Sequence, residues 1–180
     1  AYNRFAKDFD PEQFADVFAR NLRENCLRHE KEELDLVIVS GDIAESGLKP
    51  EFDQAERFFT KLAAELNTDA GQFVFVPGNH DVSWKSCERL AQDYEDGEAA
   101  FDSEAEFEAE LHRRKLQNYR AFLQNLGQHP EELSHGATIY DFPHLSVAVA
   151  ALNSCELESH LPDSHRCLLY TSPSPRDIGE

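Results

Sequence analysis

Two runs of branched and aromatic hydrophobic residues each stop at a glycine turn. Leu34-Asp35-Leu36-Val37-Ile38-Val39 runs into Ser40-Gly41-Asp42, and Phe73-Val74-Phe75-Val76 runs into Pro77-Gly78-Asn79-His80-Asp81. Between them Pro50 opens a segment in which Phe52, Ala55, Phe58, Phe59, Leu62 and Leu66 recur at helical spacing, so a helix is expected to about Leu66. Strand, helix and strand in so short a stretch make a βαβ unit, which places the chain in the α/β class with a parallel, right-handed crossover. The near-continuous hydrophobic character of the first strand predicts cover on both faces. Both glycine turns then open on one edge of the sheet, the carboxyl edge where open α/β sheets bind their ligands.

The flanking segments add helices and a hairpin. Asp10 is a good N-cap and Pro11 suits the first helical position, so a helix is expected from Pro11 to His29, with Phe14, Val17, Phe18, Leu22 and Cys26 as its buried stripe. The carboxylate-rich stretch from Asp93 to Glu110 reads as a solvated face and loop. Ser103 with Glu106 forms a capping box. Phe107, Leu111, Tyr119, Phe122 and Leu126 then mark one long helix, ended by Gly127. Thr138 to Phe142 and Leu145 to Leu152 read as an antiparallel pair joined by Pro143-His144.

Composition narrows the partners. The 180 residues suffice for one domain with a core of its own. Thirty-five Asp and Glu against 17 Lys and Arg leave a net charge of −18, which argues against binding nucleic acid or anionic lipid through a basic patch. No apolar run approaches the ~20 residues of a membrane span. Cys26, Cys87, Cys155 and Cys167 form no CxxC pair and read as free thiols in a reducing compartment, hence a cytoplasmic location. The chain contains no Met and begins at Ala1, so its termini are not expected to be those of a gene product. From Leu168 the string LLYTSPSPRD has two closely spaced prolines and no apolar anchor. It resembles a translated sequencing-adapter tail. The expected division is therefore a domain over 1–166 and a non-native, disordered tail over 167–180.

The two turns carry the chemistry. Glycine permits the sharp bends and close backbone approach, and what reaches the sheet edge is a carboxylate, an amide oxygen and an imidazole. Asp and Asn supply hard oxygen ligands, and His is a nitrogen ligand or a proton donor. A GD loop followed by a GNHD loop, each after a hydrophobic strand, resembles the calcineurin-like metallophosphoesterase superfamily, from about Phe5 to Arg166. The resemblance implies an αββα sandwich, incomplete here, with a helical insertion. It also implies metal-dependent hydrolysis of phosphate mono- or diesters by a hydroxide held on two divalent metal ions such as Mn, Fe or Zn. Asp42 would bridge the metals, Asn79 would bind one through its side-chain oxygen, and His80 would contact the phosphate and assist the leaving group. A carboxylate shared by two dications ~3.5–4 Å apart suits in-line attack. A catalytic imidazole also needs an acid to set its tautomer, and both Glu45 and Asp81 are candidates for that role. The only Trp, Trp84, reads as core packing or as a cleft residue, and the other seven histidines match no motif position.

Other parts of the family pattern are not found. There is no Asp-x-His on a strand before Asp42, no later metal-binding His and no closing Gly-His-x-His. One carboxylate and one amide cannot hold two dications, so the chain as written is expected to be inactive although its parent is a hydrolase. The alternative is a regulatory or binding module that keeps the fold without catalysis.

Overall fold

Asp10 starts the first helix as its side chain predicts: Oδ1 accepts from Glu12 N at 3.0 Å and from Gln13 N at 3.4 Å. The computed structural model describes residues 10–25, 34–128 and 137–155. In chain order these form α1 (Pro11–Asn25), β1 (Val37–Val39), α2 (Lys49–Leu66), β2 (Phe73–Phe75), α3 (Trp84–Glu95), α4 (Glu104–Lys115), α5 (Gln117–Asn125), β3 (Ala137–Phe142) and β4 (Val147–Leu152). The expected end of the first helix, Cys26 to His29, and the whole tail from 167 lie outside the described residues. Mixed helices and strands confirm the α/β class.

The predicted βαβ unit is present. β1 and β2 pair in parallel with Val37 opposite Phe73, Ile38 opposite Val74 and Val39 opposite Phe75, and α2 connects them. On one face Phe73 and Phe75 join the main core with Phe52 of α2 and with Tyr119, Phe122 and Leu123 of α5. On the other face Val74, fully buried, meets Phe142 of β3 and Ala151 of β4. Helices thus cover one side of the sheet, and the antiparallel hairpin, whose register sets Ala137 opposite Leu152, covers the other. Two-sided cover holds for β2 but only partly for β1, where Ile38 is 55% exposed.

Three expectations need correction. The hydrophobic stripe of α1 is not its buried face: Phe14, Val17 and Phe18 are exposed, while Ala15 and Ala19 are buried with Leu62 and Leu66 of α2. Small side chains let the two helix backbones approach, and the Phe14 and Phe18 rings pack outside that seam on Phe58. The single long helix after Ser103 is two helices, α4 and α5, broken at Leu116 (φ −109°, ψ 16°). Beside the break the Lys115 carbonyl accepts from Ser83 N at 2.8 Å, and the buried Lys115 ammonium donates to the Cys155 carbonyl at 3.1 Å. Tertiary partners thereby replace the helical ladder at this residue. Finally, α3 was not foreseen, and its carboxyl end takes up the start of the acidic stretch expected to be loop.

Candidate functional site

The parallel pairing sets both glycine turns side by side. Val76 N donates to Val39 O at 3.0 Å, so the two strands stay in register up to the point where they end. Gly41 follows β1 with φ 101°, and a Cβ there would lie 2.5 Å from Gly78 N. A Cβ on Gly78 would in turn run into the Asp42 carboxylate. Each glycine is therefore required by the closeness of the other loop. Asp42 itself has φ 55°, a left-handed conformation that Asp tolerates better than most residues, and its side chain is exposed.

After Gly78 a single 3-10 turn, Asn79–Asp81, distributes the motif between solvent and interior. Asn79 and His80 are exposed at the sheet edge, and Asp81 turns inward, 1% exposed. His80 N donates to Asp42 Oδ1 at 3.2 Å, and His80 Nδ1 lies 2.8 Å from the Glu45 backbone carbonyl. The ring's hydrogen bond at Nδ1 thus runs to a main-chain oxygen, while the Glu45 side chain is exposed. The Asp81 carboxylate is engaged by main-chain donors, Ala44 N to Oδ1 at 2.8 Å and Gly78 N to Oδ2 at 2.9 Å.

Electrostatics follow from these contacts. The Glu45 carbonyl raises the His80 pKa above the ordinary histidine value; partial desolvation opposes it, and the nearby Asp42, Glu45 and Asp81 carboxylates add to the rise. Burial pushes the Asp81 carboxyl up, against the Gly78, Ala44 and Ile43 N–H groups that favour its ionised form. A cleft of about 530 Å³ opens beside the first turn, with Asp42 and Glu45 in its lining together with the rings of Phe14, Phe58 and Phe59.

Both turns fall within the stretch of the chain that a family model matches. The model described as calcineurin-like phosphoesterase matches residues 9–164. This chain belongs to the calcineurin-like phosphoesterase family. Comparison with curated proteins and with solved structures finds no match.

Within this calcineurin-like phosphoesterase domain, all five sequence-chosen residues, Asp42, Glu45, Asn79, His80 and Asp81, fall on the two adjoining turns. Family members generally hydrolyse phosphoester bonds and bind divalent metals. Among the described residues, however, no group of three or more His, Cys, Asp or Glu is placed to hold a metal ion. One exposed carboxylate and one exposed amide do not satisfy two dications, so the donor set among the described residues does not fit a binuclear centre. Cys87 and Cys155 are buried outside any disulfide, and burial pushes the Cys87 thiol up to about 11, which leaves it protonated and inert. Trp84 starts α3, half-buried against the main core. The Glu45 carbonyl and the Ala44 amide were not foreseen as site groups. Every residue carries such atoms, so no residue type in the sequence signals them.

Proposed function

We propose that the protein, where its metal-ligand set is complete, hydrolyses phosphate mono- or diesters at the edge formed by the Gly41-Asp42 and Gly78–Asp81 turns, on an αββα sandwich of the family type. The observation that carries this reading is the contact between the turns: Asp42 accepts from His80 N, although 38 positions separate them. Asp42 and Asn79 present hard oxygens to one exposed edge, and as in the family they would donate to divalent metals, Mn, Fe or Zn, although the described residues supply no complete ligand set. His80 has Nδ1 held by the Glu45 carbonyl, which leaves Nε2 to meet a phosphate oxygen or a leaving group. The Glu45 carbonyl raises the His80 pKa above the ordinary histidine value, the direction that suits a proton donor.

The substrate is a phosphate ester. The −18 charge repels a polyanion, so small esters are favoured over nucleic acid, and the aromatic side of the cleft suits an apolar ester group. The shortage of metal donors favours a second reading, a binding module that keeps the fold without turnover. The two separate in one assay. With the full ligand set present and Mn²⁺ supplied, a p-nitrophenyl phosphodiester is expected to be hydrolysed; Asp42→Asn abolishes the activity and His80→Gln lowers it by about 10²- to 10⁴-fold. Undiminished turnover by Asp42→Asn would refute the site, and no turnover by the unsubstituted protein would favour the binding module.

A further inference from the structure

We propose that Asp81 is the positioning residue for the His80 imidazole, acting through the backbone of residues 44 and 45 rather than by touching the ring. Glu45 O is a carbonyl and can only accept, so its 2.8 Å contact with His80 requires the proton on Nδ1. The neutral ring is therefore held as the Nδ1–H tautomer, with the Nε2 lone pair directed away from Glu45. The position of that carbonyl depends on the residue before it. Ala44 is buried, and its N–H donates to Asp81 Oδ1 at 2.8 Å. The second carboxylate oxygen takes Gly78 N at 2.9 Å, at the root of the turn that carries His80 itself. Asp81 thus fastens the acceptor of the imidazole bond and the turn bearing the imidazole to one buried carboxylate. The Asp42 contact with His80 N closes the exchange from the other side. Each turn donates an N–H to an aspartate of its neighbour.

Asparagine has nearly the shape of aspartate but only one acceptor oxygen, so Asp81→Asn must leave one of the two N–H groups without its partner. The functional meaning of the positioning rests on the reading of His80 as a proton donor, but its test does not need turnover. Absence of turnover with the full ligand set present would sink that reading and leave the test of this one unaffected.

The experiment is nitrogen-15 NMR of the His80 ring at a pH where it is neutral, together with amide exchange. In the unsubstituted chain the Nδ1–H pattern is expected to dominate. In Asp81→Asn the Nε2–H form should gain at its expense, and exchange at Ala44 or Gly78 should quicken about tenfold or more while Val74 stays protected. Leu66→Ala, which truncates the separate core cluster between α1 and α2, is the control: it should lower the melting temperature and leave the His80 pattern alone. An unchanged His80 pattern in Asp81→Asn, or an equal change in Leu66→Ala, would overturn the proposal. Should Asp81→Asn fail to fold, coupling across the hydrogen bond from Ala44 nitrogen to the Asp81 carboxylate carbon, measured in the unsubstituted chain, replaces it. Its presence together with the Nδ1–H pattern supports the proposal, and its absence overturns it.

Discussion

Gly41 shows how tightly the site is set at the scale of single residues. An alanine there meets two penalties, a φ of 101° and a Cβ 2.5 Å from Gly78 N. Gly97 offers a natural comparison: φ is 73°, and a Cβ there would meet nothing within 4 Å. Gly41→Ala is expected to lose about 1–3 kcal/mol from backbone strain, with the steric conflict added. Gly97→Ala should lose about 1 kcal/mol. Urea midpoints measure both; equal losses would show that the closeness of the turns is not what requires glycine at 41. Side chains made this site legible in the sequence, because the polar groups of Asp42, Asn79, His80 and Asp81 follow glycines at two strand ends. What they do to one another was not legible. Whether Glu45 or Asp81 would face the imidazole was open, and the structure answers with the Glu45 main-chain oxygen. Asp81 turns inward because a 3-10 turn advances ~120° per residue, a rotation that no residue type announces.

Among the elements, α4 carries a cluster of ion pairs on its surface. Glu110 accepts from Arg113 Nε and Nη2 and from Arg114 Nε, each at 2.7 Å, and these bonds hold its carboxyl down at about 2. The folded value lies below the ordinary one of 4.5, so the stabilisation is fully present above pH 4.5 and is lost as the pH falls toward 2. Arg113 and Arg114 are 58% and 36% exposed, so water screens the pairs and each is worth about 0.3–0.5 kcal/mol. Glu110→Gln should therefore lower the melting temperature slightly at pH 7, with the difference closing as the pH approaches 2. A difference that persists at pH 2 would locate the effect elsewhere. The same elements show how far periodicity reads. It found α1, α2 and both strand pairs, because hydrophobic spacing is a local property. It chose the wrong face of α1, since Ala15 and Ala19 bury through close approach, which hydrophobicity does not record. It passed over α3, where Cys87, Leu90 and Tyr94 recur at helical spacing within a mostly polar segment. The break at Leu116 was invisible because its cause, Ser83 N donating to the Lys115 carbonyl, is a contact with a distant part of the chain.

At the scale of the whole molecule, charge and donor count make opposite demands on metal. A net charge of −18 draws dications to the surface, yet such attraction is diffuse and screened beyond ~8 Å at physiological salt. Tight binding needs converging ligands, about four for zinc and six for magnesium, and a shared carboxylate removes only one from the total for a pair. The described residues bring Asp42, Asn79 and His80 to one edge, and Nδ1 of His80 is already committed to Glu45. Diffuse and site-bound metal respond differently to a single substitution. After incubation with Mn²⁺ and desalting at physiological ionic strength, elemental analysis of the 180-residue chain is expected to find well below two metals per molecule, with Asp42→Asn retaining the same amount. Two equivalents that survive desalting and disappear in Asp42→Asn would overturn the donor count, and would show that other residues of the chain reach the two turns and complete the centre.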